Sequence, residues 1–186
     1  MTRALRIFAL AVPIFMIHSS ASSQDQTSSR PAHVRSGFNF TLSVPLDRAA
    51  PLFGPEGERC WAGEHWNPEF LYPQPGQDVE GAVFTVAHGT RKSIWVNTVF
   101  DLSAGRMQYV NFIPDVLVST IDVHLVALNE KTTRIEVMYA RTALSAAAND
   151  DVHAQARSAR MSGAHWQEAI QRCLEKQTRP NLREEQ

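Results

Sequence analysis

The segment from Asn149 to Gln177 reads NDDVHAQARSARMSGAHWQEAIQRCLEKQ and carries the long helical period of this chain. Its apolar residues recur at spacings of three and four, which places them on one side of a helix and the charged residues elsewhere. The apolar stripe consists of Val152, Ala156, Ala159, Gly163, Trp166, Ile170, Cys173 and Leu174. The segment is therefore predicted to form one long helix that lies on an apolar surface.

The side chains of this stripe are small at its start and bulky at its end. Ala156 and Gly163 belong to the small half, and Trp166 and Leu174 belong to the bulky half. If a sheet curls round such a helix, the bulky side chains would fill the space between them at one end, and the small side chains would leave space at the other end. The pattern therefore favours a cavity near Gly163.

The chain before this helix shows the short apolar and alternating runs that are typical of strands. A first strand is predicted at Phe38–Val44, followed by two short helices at Leu46–Phe53 and Pro55–Trp61. Six further strands are predicted at residues 70–72, 82–88, 93–102, 107–113, 119–128 and 133–144. Short breaks between them indicate antiparallel neighbours. The expected fold class is α+β, with an antiparallel seven-stranded sheet wrapped round a long C-terminal helix.

The N-terminal residues are predicted to lie outside the folded domain. Arg3 and Arg6 precede an apolar run at Ile7–Ile17, and the small residues after it provide cleavage sites at Ala21 or Ser23. We expect a signal peptide at residues 1–23, a disordered tail at 24–36, the domain at 37–178 and a C-terminal tail at 179–186. An uncleaved anchor is the rival interpretation, although the apolar run is well short of the roughly 20 residues that span a bilayer.

Such a signal predicts a periplasmic or secreted protein with a slightly acidic mature chain. Removing Arg3 and Arg6 leaves 16 basic residues against 19 acidic ones, a formal net charge of −3. Nucleic acid is therefore not an expected partner, and no later stretch is apolar enough to be an integral membrane segment after signal removal. The histidines show no metal-ligand spacing, and phosphate loops and nucleophile elbows are missing, so the sequence predicts neither a metal nor a cofactor.

Residues 55–61, PEGERCW, resemble a segment of bacterial members of the START-like helix-grip superfamily. The blocks WVNTVFD at 95–101, YVNFIP at 109–114 and TRIEVMYART at 133–142 resemble strands of the same proteins. The resemblance runs from about Phe38 to Gln177. This superfamily, often called SRPBCC, includes the birch pollen allergen and the polyketide cyclase/dehydrase-like proteins. The resemblance implies the helix-grip fold, but the superfamily has divergent functions, so the fold does not choose among them.

Three functions remain open on this resemblance. The first is an exported protein that binds an apolar or aromatic small molecule between the sheet and the C-terminal helix. The alternative is a cyclase/dehydrase-type enzyme that acts on a polyketide-like or lipid substrate, with Tyr139 and either Asn97 or His88 transferring protons. The third is a structural module whose cavity is filled by its own side chains.

Strand alternation groups the candidate site residues by face. Tyr139 shares the predicted inner face of its strand with Ile135 and Val137, where its hydroxyl would orient a ligand. The candidate ligand-binding residues are Tyr139, Trp95, Asn97, Tyr109, His88, Gly163 and Trp166. Four of them have a structural alternative: Tyr139 as a core tyrosine bonded to backbone, Trp95 and Tyr109 on the outer surface, and His88 at the rim of the sheet.

The two cysteines, Cys60 and Cys173, both lie in the part of the chain that would be exported. The resemblance implies that the short helices support the C-terminal half of the long helix, so Cys60 would lie opposite Cys173. A disulfide between them is one interpretation, since oxidising compartments permit it. Two buried free thiols that pack as small apolar groups are the other.

Overall fold

The structure of the chain is a computed structural model that describes residues 30–178, except for the side chain of His88. The predicted signal peptide, the first part of the predicted tail at 24–36 and the C-terminal tail at 179–186 lie outside the described residues. Among the helices that are described, none is both long and apolar enough to cross a membrane.

Seven strands form one antiparallel sheet in the order β1-β7-β6-β5-β4-β3-β2. Strands β2 to β7 follow one another as a meander, and β1 pairs with β7 at the far edge. The strands are β1 (His33–Leu42), β2 (Glu69–Tyr72), β3 (Val83–His88), β4 (Arg91–Asp101), β5 (Arg106–Ile113), β6 (Leu117–Asn129) and β7 (Thr132–Ala143). The predicted fold class is confirmed, and so is the order of one strand, two short helical segments, six strands and a C-terminal helical segment.

Strand β1 begins at His33, inside the segment that was predicted as a tail. Its first residues pair with β7, and His33 lies opposite Thr142. The sequence there is polar, but a backbone ladder needs no apolar side chains, which is why periodicity placed the start too late. The boundary of the predicted tail is corrected accordingly.

The two predicted short helices are mainly 3-10 turns. Helix α1 (Leu46–Ala49) continues into a 3-10 turn at Ala50–Phe53, and a second 3-10 turn spans Gly57–Cys60. A Cβ atom on Gly57 would lie 2.0 Å from the carbonyl oxygen of Pro51. Glycine is therefore needed where these two turns pack against each other.

The C-terminal segment is two helices rather than the single long helix that was predicted. Helix α2 (Asn149–Arg160) and helix α3 (Ser162–Thr178) are separated at Met161. The hydroxyl of Ser162 donates to the carbonyl oxygen of Ser158 at 3.1 Å, and Gly163 follows. A serine-glycine pair with such a local bond is a common cause of a helix kink.

The core lies between the sheet and these helices and has two parts. The larger part, under α3, contains among others Phe53, Trp61, Ile135 and Ile170. The smaller part lies under the start of α2 and consists of Val116, Leu117, Ala143, Ala148 and Val152. Asn111, Ser119 and Arg141 are buried polar residues of the sheet that belong to neither part.

A disulfide joins Cys60, at the end of the second 3-10 turn, to Cys173 on α3. Their Cα atoms are 5.7 Å apart and the bond spans 113 positions of sequence. In the chain-entropy model, closing a loop of that length lowers the conformational entropy of the unfolded chain and thereby stabilises the folded state by about 5 kcal/mol. The bond therefore fixes the turns against α3.

Replacing both cysteines, Cys60→Ser with Cys173→Ala, is expected to lower the free energy of unfolding by about 2 to 5 kcal/mol. Urea unfolding of the oxidised protein and the double variant measures the difference. Reduction of the wild type is the matched control and should approach the variant, which itself should not respond to reductant. Two free thiols per chain in unfolded, unreduced protein would contradict the bond.

Candidate functional site

All four tryptophans of the chain line one cavity of about 220 Å³. The cavity lies between the inner face of the sheet, the start of α3 and the segment that follows the 3-10 turns. Its lining consists of Glu58, Trp61, Ala62, Trp66, Trp95, Tyr109, Ile121, Val123, Tyr139, His165, Trp166 and Ala169. We call it the aromatic cavity.

The indole N–H groups of three of these tryptophans are bonded to the protein. Trp61 donates to the carbonyl oxygen of Leu52 at 2.7 Å, and Trp66 donates to that of Pro55 at 2.9 Å. Trp95 donates to the hydroxyl of Ser93 at 2.8 Å. Since the polar atoms of these three rings are already satisfied, the rings offer mainly apolar surface to the cavity.

The sheet supplies a cross-strand row to the same cavity. Tyr109 lies opposite Ile121, and Ile121 lies opposite Tyr139, so the three side chains share the inner face. The hydroxyl of Tyr109 donates to the carbonyl oxygen of Phe53. Burial raises the pKa of both tyrosines, which keeps their hydroxyls protonated at neutral pH. The row therefore adds neutral, largely apolar surface.

Glu58 brings a half-buried carboxyl group to this apolar lining. Burial, and secondly the nearby carboxylate of Asp78, raises the pKa of Glu58 well above its ordinary value of 4.5. Asp78 is held in place because it accepts the backbone N–H groups of Glu56 at 2.8 Å and Gly57 at 3.2 Å. Glu58 is therefore a group that can hold or release a proton inside the cavity.

A second cavity of about 510 Å³ adjoins the first. The two share Trp95, Ile121 and Tyr139 in their linings. Six of the second cavity's other eight lining residues have polar or charged side chains, namely Arg91, Asn111, Ser119, Arg141, Asp151 and Gln155, and the remaining two are Ile113 and Val116. We call it the polar cavity.

Four of the residues predicted from sequence meet at the aromatic cavity. They are Trp95, Tyr109, Tyr139 and Trp166, and they come from three strands and from α3. The inner-face assignment of Tyr139 agrees with the burial of Ile135 and Val137 on the same strand. Strand alternation placed Tyr139 on the inner face, left the faces of Trp95 and Tyr109 open, and the helical period placed Trp166.

Three predicted residues are not found there. Asn97 is fully buried, donates to the carbonyl oxygen of Val79 at 3.1 Å and lines neither cavity. His88 ends β3, and its side chain lies outside the described atoms. Gly163 packs closely on β1, as shown by the 3.2 Å distance that a Cβ atom at this position would have from the carbonyl oxygen of Asn39.

The predicted position of the cavity is therefore corrected from the small end of the helical stripe to its bulky end. The small residues allow the helices to approach β1 closely, so the strand fills the space that they leave. Helix α2 does border the polar cavity, but with Asp151 and Gln155 rather than with the alanines of the stripe.

Sequence reasoning missed Glu58, Trp61, Trp66 and Arg141 as site residues. Glu58 and Trp61 belong to the PEGERCW motif, which was interpreted only as a supporting helix, and Trp66 follows that motif closely. The concentration of tryptophans around this motif was the available signal. Arg141 lies two residues after Tyr139 on β7, so alternation alone places it on the inner face.

No protein-family model matches the sequence, and no curated protein matches it. Solved structures are similar in fold. A point mutant of norcoclaurine synthase from Thalictrum flavum, in complex with a transition-state analogue, has a TM-score of 0.59 at 10% identity over 80% of this chain and 98% of that one. An uncharacterised protein from Rhizobium leguminosarum has a TM-score of 0.55 at 13% identity over 77% and 97%.

A third similar structure is that of Ara h 8.0201, with a TM-score of 0.50 at 14% identity over 70% of this chain and 94% of that one. Identities this low establish the fold alone. The chain has the START-like helix-grip fold that its sequence resemblance implies.

Glu58→Gln is expected to stabilise the protein at neutral pH. In the folded chain the pKa of Glu58 is raised, so the folded state binds this proton more tightly than the unfolded state does. The free energy of unfolding therefore falls as pH rises from about 4.5 through the folded pKa, and the glutamine variant avoids that loss. Urea unfolding over this pH range measures it.

The matched control for that variant is Glu56→Gln, which changes an exposed carboxylate in the same motif. Its ion pair with Arg59 is exposed at the surface, so only a small change in stability is expected. A Glu58→Gln variant that is less stable than wild type at neutral pH would contradict the burial argument.

Proposed function

We propose that this chain, with its START-like helix-grip fold, is an exported protein that binds an apolar or aromatic small molecule between the sheet and α3. The observation that carries the proposal is the gathering of all four tryptophans round one cavity. The apolar ring faces that border a cavity are stabilised when a ligand takes the place of the water or empty space beside them.

The volume of the aromatic cavity favours a compact ligand. An apolar cavity of about 150 Å³ is enough to hold benzene, and the aromatic cavity has about 220 Å³. Taken alone it is smaller than most ligand sites, which begin at about 300 Å³. The polar cavity of about 510 Å³ adjoins it, so a ligand with one or two rings has room for a substituent. Among similar structures, the norcoclaurine synthase mutant holds a transition-state analogue.

Two features support the proposed export. The N-terminal sequence has the basic start, apolar run and small residues of a signal peptide. The bond between Cys60 and Cys173 also fits an oxidising compartment, since structural disulfides are rare in reducing ones. A periplasmic or secreted location follows as part of the proposal.

N-terminal sequencing of the protein recovered from its own host is expected to begin near Ser22 or Gln24. The reason is that signal peptidases cut after small residues such as Ala21 and Ser23. Recovery of an intact Met1 in the membrane fraction would contradict cleavage and would favour an uncleaved anchor.

A second candidate function is acid-base catalysis on the bound molecule. The specific observation in its favour is Glu58, whose raised pKa suits a general acid or base, in one lining with Tyr109 and Tyr139. Two proton-transfer partners were predicted for Tyr139. The Nδ2 atom of Asn97 donates to the carbonyl oxygen of Val79 and the residue lines neither cavity, and the side chain of His88 lies outside the described atoms. Native mass spectrometry of protein from its host separates the two functions. A bound molecule that stays chemically unchanged favours binding alone. A molecule that wild-type protein alters on incubation, and that the Glu58→Gln variant leaves unaltered, favours catalysis.

Ala169→Phe is expected to weaken binding of the uncharged aromatic probe N-phenyl-1-naphthylamine by about tenfold or more, because the new ring would occupy the aromatic cavity. Probe fluorescence measures the dissociation constant. Ala164→Phe is the matched control, since Ala164 lies on the same helix and is exposed. Circular dichroism verifies that both variants are folded. Equal probe affinity in wild type and a folded Ala169→Phe variant would contradict binding in this cavity.

A further inference from the structure

The polar cavity contains a buried positive charge that forms no ion pair with any residue in the described part of the chain. Arg141 on β7 is only 7% exposed and lines this cavity. No carboxylate within residues 30–178 lies within 4.0 Å of its guanidinium group. Removing a charge from water costs several kcal/mol unless a partner compensates for it, so an unpaired buried arginine needs a reason.

The protein contributes only part of that compensation. The guanidinium carbon lies 4.0 Å from the centroid of the Tyr139 ring, in a cation-π contact. The Nη1 atom donates to the hydroxyl of Ser36 at 3.0 Å. A guanidinium group has five N–H donors, so these two contacts hold it in place without exhausting its hydrogen-bonding capacity. Burial lowers the pKa of Arg141, as expected of a charge that lacks a full set of partners.

Arg141 belongs to a cross-strand row on the inner face of the sheet. Trp95 lies opposite Asn111, Asn111 opposite Ser119, and Ser119 opposite Arg141. All four residues line the polar cavity. The three polar members are thus successive neighbours at the strand spacing of about 4.8 Å, at positions where a sheet normally buries apolar side chains.

The middle of this row is also incompletely bonded. Asn111 is 5% exposed, and its Nδ2 atom is buried with no hydrogen-bond partner among the described residues. Buried amide groups are nearly always bonded in native structures. The row therefore combines a fixed cation with an amide and a hydroxyl, all beside one empty space, and Trp95 joins it to the aromatic cavity.

We propose that the bound molecule carries a carboxylate that pairs with Arg141 in the polar cavity, while its ring occupies the aromatic cavity. This rests on the proposed binding function and deepens it to a ligand class, aromatic or compact apolar carboxylic acids. The planar guanidinium group matches the two oxygens of a carboxylate, and the pairing would supply a counter-charge that residues 30–178 do not provide.

Another residue of the chain could in principle be that counter-charge. Asp151 on α2 lines the same cavity, but it is exposed and forms no ion pair with Arg141. Arg91, at the same cavity, is also exposed and adds a second positive charge rather than a negative one. The cavity lining thus contains, besides Arg141, one negative side chain, Asp151, and one positive side chain, Arg91, and both are exposed to solvent.

Isothermal titration calorimetry with 2-naphthoate and 2-naphthamide at neutral pH tests the proposal. The two probes share one ring system and differ in whether the substituent is charged. Wild-type protein is expected to bind 2-naphthoate about tenfold or more tightly than 2-naphthamide, in line with the strength of hydrogen bonds to charged groups. Arg141→Met should abolish this preference by weakening the binding of 2-naphthoate much more than that of 2-naphthamide.

The matched control is Arg91→Met, which removes a positive charge from the rim of the same cavity. Because Arg91 is exposed, its removal should leave most of the preference for 2-naphthoate in place. Asp151→Asn should likewise retain it, whereas a preference that depends on Asp151 would contradict the pairing of Arg141 with the ligand.

The outcomes separate this inference from the function on which it rests. Equal affinities for the two probes in wild-type protein would overturn the carboxylate pairing and leave the apolar-ligand proposal standing. Failure of both probes to bind would overturn both proposals. The wild-type comparison decides the matter even if Arg141→Met does not fold.

Discussion

The bond between Cys60 and Cys173 is the constraint on which the aromatic cavity depends. Trp61 follows Cys60 directly, and Trp166 lies about two turns before Cys173 on α3. The centroids of these two rings are 4.9 Å apart. Short 3-10 turns have little stability of their own, so a covalent link to α3 keeps this wall of the cavity at a fixed distance from the helix. The sheet supplies the opposite wall.

Two neighbouring rows of the sheet divide the interior into an apolar and a polar half. One row contains Tyr109, Ile121 and Tyr139, and the other contains Asn111, Ser119 and Arg141. Corresponding members are two positions apart on each strand, so both rows face inward. Tyr139 and Arg141 touch through the cation-π contact, which joins the halves. A molecule with a ring at one end and an acidic group at the other is complementary to both halves.

Much of the fold was predictable from sequence, because strand alternation and turn residues are local signals. They predicted the seven strands, and alternation placed Tyr139 on the inner face. Trp95 and Tyr109 were candidates whose face alternation alone did not decide. The kink at Met161 and the close packing of Gly163 on β1 were not predictable, since both depend on which element lies against the helix. The role of Glu58 was missed for a similar reason. Its pKa depends on burial by distant segments and on Asp78, which is 20 residues away in sequence.

The central claim is that one ligand contacts all four tryptophans, and fluorine NMR of protein labelled with 5-fluorotryptophan tests it most directly. Four resonances are expected, one for each of Trp61, Trp66, Trp95 and Trp166. Saturation with 2-naphthamide, the uncharged probe, should shift all four with one common dissociation constant, because all four rings line the same cavity. Resonances that do not move at saturation of the probe, or that move with different dissociation constants, would contradict a single tryptophan-lined binding site.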